Sequence, residues 1–471
     1  MIVEVGNVSA RVTSATAEER VWLHDYLTFP NDKARFIPGA KPNYSLFNSY
    51  RGSFPTGLVP AVKRVASEEA GFQVQLLDRR KRPCDPAPEN VDLSWLRPYQ
   101  REAVEAVYKQ TRGILHIATG GGKGSIIVAL AESIPCRWGF MVHRATLIQQ
   151  QARRYESITK KKAGIVAEGI WDVPDDCEFV CVSFQTAYAH LKNPEKAAKM
   201  QALLDSFDAC GYDECHVAPA DSFSMCIDAM PNCYWRVGMS GTPLDRGDRR
   251  SVKAIGSIGN VIYKKSAAEL ADEGYLTKPT IKLLKVRAKP SKAISWPGVY
   301  TDVVVKASHR MGAIAEEAVD IEKPAMVFVT QIAHGKAVTK ALERKGLKAR
   351  FVWGSSATVQ RETAIRDLEA GRLDILVSST VLVEGADIPS LRGAIIAGGG
   401  KSVIQTLQRI GRGMRIEKGK ESFQVVDIFD DGCTAQGCSH YACKKAREHS
   451  LDREKAYLKE KHDVTTKEFI G

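Results

Sequence analysis

No apolar run in the chain approaches the ~18 residues that a membrane span requires, because Lys, Arg, Asp or Gly interrupts every candidate, so no membrane partner is expected. The 11 cysteines are odd in number and lack tandem spacing, which argues against a disulfide framework. Cys433, Cys438, His440 and Cys443 have ligand chemistry, but their spacing is irregular and no second pair follows, so zinc is not expected there. The opening MIVEVGNVSARV has no basic-then-apolar leader, and a reducing, cytoplasmic setting is the expectation. Internal repeats and low-complexity tracts are also missing. What is present is enough chain, 471 residues with 44% apolar, for two or three domains. A net charge of +12 favours a polyanionic partner, nucleic acid first.

The stretch Gly113 to Leu130, GILHIATGGGKGSIIVAL, organises the rest. Ile114 to Ile117 reads as a buried strand, and Thr119, Gly120, Gly121, Gly122 and Lys123 form a turn that opens a helix. Glycines let successive backbone N–H groups face an anion, the helix dipole adds positive potential, and the lysine supplies a charge for outer phosphates. A glycine-rich turn with no ligand is the bland alternative. The usual pattern places Ser or Thr after the lysine, where its hydroxyl ligates Mg²⁺, and here Gly124 stands. Ser125 would take over only if the helix began one residue late. Otherwise water fills the position and Mg²⁺ is held mainly elsewhere, with a weaker dependence on the metal.

Residues 1–88 read as a small α/β module: an alternating strand over Val3 to Val12, helices over Ala17 to Leu27 and Leu58 to Val65, and a basic cluster, Arg79 to Arg82, able to grip a phosphate backbone. A Pro-rich connector, Pro83 to Pro88, follows. The helix opened by LRPYQ carries Gln100, whose amide could pair with an adenine edge, and Arg97, which could stack on the ring. Two βα junctions carry Arg144 and then Ser183 and Gln185, groups suited to phosphate contacts. Asp213 and Glu214 end a weak strand: Asp213 can hold Mg²⁺ through water and Glu214 can deprotonate an attacking water. Ser240 and Thr242 close another strand and could link this region to the rest of the lobe.

After a boundary near Ala288 to Pro297, strand and helix alternate again without a second phosphate loop. The edge of that domain offers Thr380, Gly385, Asp387 and Pro389, then QTLQRIGRGMR. Arg412 and Arg415 lie three apart and can both reach a γ-phosphate, while Gly411 and Gly413 keep bulk away.

In order, RPYQ, ATGGGKG, VHRATL, SFQT, DECH, SGTP, LVEGADIP and QRIGRGMR resemble the motif series of the superfamily II helicases and translocases, over roughly residues 94–430. The compact size, FPTGL (Phe54 to Leu58) and DECH are most similar to the phage recombination helicases that unwind and migrate branched DNA. The resemblance implies an α/β fold of two RecA-like parallel-sheet lobes in tandem, residues 89–288 and 289–432, with the accessory module 1–88 in front and a short helical tail, 433–471. ATP and Mg²⁺ are the implied cofactors. Gln100 and Arg97 would read adenine, Thr119 to Ser125 would cradle phosphates with Lys123 on the β- and γ-phosphates, and Glu214 would activate water. Arg412 and Arg415 would be arginine fingers, and Gly385, Asp387 and Gln408 would belong to the nucleotide side, with Asp387 and Gln408 coupling it to the strand. Arg144, Ser183, Gln185 and Thr380 would touch the strand. DNA, single-stranded or branched, is the expected partner. RNA, a duplex-translocating subunit of a restriction-type complex, and a regulator that has lost hydrolysis are the alternatives. No nuclease carboxylate cluster is evident, oligomeric state is open, and a monomer suffices.

Overall fold

The computed structural model describes the chain except residues 32–38, 144, 216–220, 242–250, 289–290, 380–387, 399–409, 412, 418, 434–440 and 470–471. The described chain divides into two compact units, Met1–Ile117 with Gly122–Lys265, and Ala118–Gly121 with Ser266–Gly471.

Besides the short antiparallel pair Thr28–Pro30 and Asn43–Ser45, the first unit holds two sheets among its described residues. The smaller runs in the order Ser53–Pro55, Ser9–Ser14, Ile2–Val5, Gln75–Asp78. The single strand expected over Val3 to Val12 is therefore a hairpin, because Gly6 and Asn7 are turn formers and the Gly6 N–H closes back on the Ser9 carbonyl at 3.0 Å. Helix Ala17–Tyr26 starts at a reciprocal cap between Thr16 and Glu19. The larger sheet runs Ile170–Asp172, Gly164–Ala167, Phe179–Ser183, Trp138–Val142, Ala209–Tyr212, Trp235–Ser240, Arg112–Ile117, Val261–Lys265, parallel except for its first pair. Strands Trp138–Val142, Phe179–Ser183, Ala209–Tyr212 and Trp235–Ser240 are buried at every residue, as continuous apolar strands in a sheet covered on both faces must be.

The small sheet is packed onto the large one. Its core of Val3, Phe54, Leu58 and Val62 includes Val252 and Ile255, which belong to helix Ser251–Ser257 of the lobe. The basic cluster works at this seam. Arg79 pairs with Glu4 and Arg80 with Asp78, Arg80 lies over the Tyr234 ring, and Arg82 pairs with Asp85 and lies over Trp235. Three of the four basic residues that could grip phosphate are thus engaged by neighbouring carboxylates, two of them stacked on lobe aromatics.

The second unit is built on one sheet in the order Ala349–Val352, Ile375–Ser379, Ala325–Val329, Gly393–Ile396, Phe423–Cys433, Pro279–Ala288, Asp463–Glu468, all parallel. Two features differ from expectation. Pro279–Ala288, placed by sequence in the first lobe, is an internal strand of this sheet. The tail is not helical throughout: helix Tyr441–Lys459 is followed by the edge strand Asp463–Glu468, whose charged, exposed residues hide its alternation. The tail helix is fixed by a buried network in which Arg453 donates to both Asp427 carboxylate oxygens at 2.8 and 2.7 Å and the Tyr457 hydroxyl donates to the same carboxylate at 2.5 Å.

Candidate functional site

In the first unit the parallel strands bring their C-terminal ends to one edge, the place where ligands of such sheets bind. Register sets the order: Ser183 pairs with Val142, Tyr212 with Met141, and Ser240 with His116. The phosphate loop, the Asp213–Glu214 pair and the Ser183–Gln185 turn therefore emerge side by side.

Gly120 and Gly122 have φ of +87° and +71°, conformations that side chains rarely adopt, so the glycines are required for the turn. Lys123 opens helix Lys123–Ser133, and its ammonium reaches back to the Ile117 carbonyl at 3.1 Å. The helix does not start late. Ser125 sits at its third position, with its N–H on the Gly122 carbonyl at 2.9 Å. Ala118–Gly121 group by contact with the second unit, where a Cβ on Gly120 would lie 3.7 Å from Arg415 Cγ.

Glu214 has φ of +48°, a strained backbone for a residue with a side chain, and such strain concentrates where geometry serves function. The Asp213 N–H is held by the Met141 carbonyl at 3.0 Å. Next to them Cys215 is fully buried; burial pushes its thiol up, the charges of Glu214 and Asp213 push it further, and Lys123 pulls against them. Lys123, Asp213 and Glu214 thus lie close enough for all three charges to bear on the one buried thiol.

Gln100 is 5% exposed, with its Oε1 accepting from the Arg97 N–H at 3.0 Å and its Nε2 3.5 Å from the Gly122 carbonyl. It ties the first helix turn to the phosphate loop, while the Arg97 guanidinium donates to the Tyr99 hydroxyl at 3.4 Å. Ser183, expected at the nucleic-acid strand, is 3% exposed and caps helix Phe184–Lys192, accepting from the Thr186 N–H. It orients Gln185, which is exposed and donates to the His143 carbonyl at 2.6 Å. Ser240 is fully buried.

In the second unit Arg415 is partly exposed and its carbonyl accepts from Lys420 at 3.1 Å. Lys420, which sequence reading passed over, is 8% exposed and also donates to the Pro389 and Gly413 carbonyls, closing the end of the arginine-bearing segment. Gly413 does not clear space for a phosphate: a Cβ there would fall 2.0 Å from Phe423 Cζ, so the missing side chain admits that ring. Arg144, Thr380, Gly385, Asp387, Gln408 and Arg412 lie outside the described residues, as do Thr242, Cys438 and His440. Among the described residues no group of three or more His, Cys, Asp or Glu could hold a metal, and no helix is long and apolar enough to cross a membrane.

Two residues absent from the sequence reading stand beside the loop. Gln151 and Arg154, on helix Ala145–Thr159, bring their polar ends to Gly124, and the Gln151 Nε2 donates to the Gly124 carbonyl at 2.9 Å. In QQQARR only the spacing of three, which puts both on one helix face, could have singled them out.

Two RecA-like α/β lobes, the first with a glycine-rich loop and a lysine at the ligand edge of its sheet, are the class that this fold defines. Residues 94–245 match the family model described as the res subunit of type III restriction enzymes, and residues 310–417 match the helicase conserved C-terminal domain. The chain is 24% identical to the ATP-dependent DNA helicase uvsW of Enterobacteria phage T4, covering 94% of each. It is 25% identical to putative helicase 22 of Sulfolobus islandicus filamentous virus over 71% of this chain, spanning only 64% of that protein. A fragment structure of a putative HsdR subunit of a type I restriction enzyme from Vibrio vulnificus shares the fold, with a TM-score of 0.57 at 18% identity over 79% of this chain and 67% of that one. The chain thus carries, over residues 94–245 and 310–417, the pair of domains that superfamily II helicases share, and it is similar along nearly its whole length to a phage helicase.

Proposed function

We propose that the chain is an ATP-driven DNA translocase that unwinds or branch-migrates forked and recombination-type intermediates. The observation that carries this reading is the end-to-end match to a phage DNA helicase, 94% of both chains, which takes in the front module as well as the motor motifs. Lys123 holds the outer phosphates and Glu214 takes the proton of the attacking water. Arg412 and Arg415 supply the charge that stabilises the transition state. Mg²⁺ fits the donor set: one strand-end carboxylate, Asp213, with the remaining positions left to phosphate and water, is how this ion is usually held. Bound there, it would neutralise charge on the β- and γ-phosphates. Gln185 and Arg144 meet the strand mainly at phosphate, so binding is salt-sensitive and largely indifferent to sequence.

ATPase rates measured side by side with single-stranded DNA, duplex DNA, forked DNA and RNA test the proposal. Forked DNA is expected to stimulate most. Equal rates with and without any polynucleotide refute coupling to nucleic acid, and stimulation by RNA alone moves the chain to the RNA helicases.

A further inference from the structure

The position after the loop lysine is where a hydroxyl normally faces the metal and the phosphates. Here that point is occupied from outside the loop. A Cβ built on Gly124 would lie 2.1 Å from Arg154 Nη1 and 2.5 Å from Gln151 Oε1. The guanidinium therefore sits where a Thr side chain would begin. Gln151, 6% exposed, fixes the arrangement through its bond to the Gly124 carbonyl. The Arg154 side chain has no hydrogen bond or ion pair among the described residues, and burial lowers its affinity for its proton, so the charge is desolvated without a compensating anion. A guanidinium held in that state beside a phosphate loop is complementary to phosphate oxygens, to which it donates in a fixed fork.

We propose that Arg154 is a second phosphate-binding cation of the ATP site, replacing from the neighbouring helix the metal-ligating hydroxyl that Gly124 lacks. The inference rests on reading the loop as an ATP site and adds a residue and a consequence to it. A hydroxyl recruits Mg²⁺ to the phosphates, whereas a guanidinium neutralises them directly and repels a cation from the same point. Nucleotide binding is therefore less dependent on Mg²⁺ than a loop with the hydroxyl would make it.

The test is equilibrium binding of a fluorescent ATP analogue to the full chain, in Mg²⁺ and in EDTA, with thermal unfolding run on each variant. Wild type is expected to lose less than about tenfold in affinity when the metal is removed. Arg154→Gln is expected to bind more weakly than wild type in Mg²⁺ and weaker still in EDTA, at least about tenfold below wild type there, so that its ratio of the two affinities grows, with Arg154→Lys in between. Gly124→Thr, which pushes the guanidinium off the same point while restoring a hydroxyl, should give the same metal dependence without touching Arg154. If both Arg154→Gln and Gly124→Thr keep the wild-type ratio of the two affinities, the proposal is wrong. If wild type binds no nucleotide under either condition, or Lys123→Ala binds as well as wild type, it is the reading of the ATP site that fails.

Discussion

Replacing Gly57 by Ala tests whether the front module is an accessory or a structural part of the first lobe. Gly57 lies in FPTGL, and each residue of that stretch has a task at the seam. Phe54 and Leu58 enter the module core, Pro55 packs against Gly256, and Thr56 ties the turn to the Gly6 carbonyl at 2.7 Å. Gly57 meets the end of helix Ser251–Ser257 so closely that a Cβ would lie 1.9 Å from the Ile255 carbonyl oxygen and 2.6 Å from that of Gly256. Both obstacles are backbone, so no rotamer change relieves them. Real Cβ atoms essentially never come within 3.0 Å of such an atom, and the two segments must part by at least about 1.1 Å. That separation loosens Phe54 and Leu58 from Val252 and Ile255 and lengthens the bonds from Arg112, the guanidinium that donates to Asn7 of the module and to Ser257 and Ile258 of the lobe. Overpacking against rigid neighbours typically costs about 1–3 kcal/mol, and with backbone on both sides the upper end is expected. Urea unfolding of the full chain should show the loss, and limited proteolysis should cut the 83–88 connector sooner than in wild type. By the same reasoning, deleting residues 1–88 should destabilise the first lobe rather than leave a free-standing motor. A Gly57→Ala protein as stable and as protease-resistant as wild type would refute the docking argument and return the module to accessory status.

Glu214→Gln keeps shape and loses the base, so nucleotide should still bind while ATPase falls by about 10²-fold or more; unchanged turnover would remove Glu214 from catalysis. Asp427→Asn strips the charge that faces Arg453 and weakens the acceptor for Tyr457, with both carboxylate and guanidinium 1% exposed, and should cost about 3–5 kcal/mol of second-unit stability in denaturant unfolding, because the guanidinium stays buried and unneutralised. Burial first, then Arg392, lowers Lys420 to about 8 against an ordinary 10.5, with Glu417 opposing. The folded state thus releases a proton that the unfolded state keeps between those values, and the contribution of Lys420 to stability rises as pH climbs from about 8 to 10. Lys420→Met should flatten that part of the stability profile, and an unaltered slope would count against the buried ammonium.

What could be read from sequence was whatever is local. The phosphate loop, the helix opened by Pro98 and the buried parallel strands carry their own periodicity and caps, and they stand where the pattern puts them. The Asp213–Glu214 pair was legible for the same reason, as two carboxylates at the end of one strand. The partners of the basic cluster could not be read, because charge in a sequence does not reveal its partner: Glu4 is some seventy-five residues from Arg79, and Tyr234 follows the phosphate loop and the Asp213–Glu214 pair, far along the chain from Arg80. The task the structure gives Ser183, a helix cap, was not legible, because a hydroxyl at a strand end serves a cap as readily as a ligand.

Glycine shows most clearly where local reading stops. At Gly120 and Gly122 the positive φ explains the residue, and the loop pattern announces it. Gly57, Gly124 and Gly413 have no such conformation, and each is instead a place where a distant group occupies the space of a side chain: the Ile255 backbone, the Arg154 and Gln151 termini, and the Phe423 ring. The departure at Gly124 looked in isolation like a lost metal ligand. With its neighbour in view, the missing hydroxyl and the arriving guanidinium are one exchange, and a gap in the motif becomes a statement about a helix that begins more than twenty residues later.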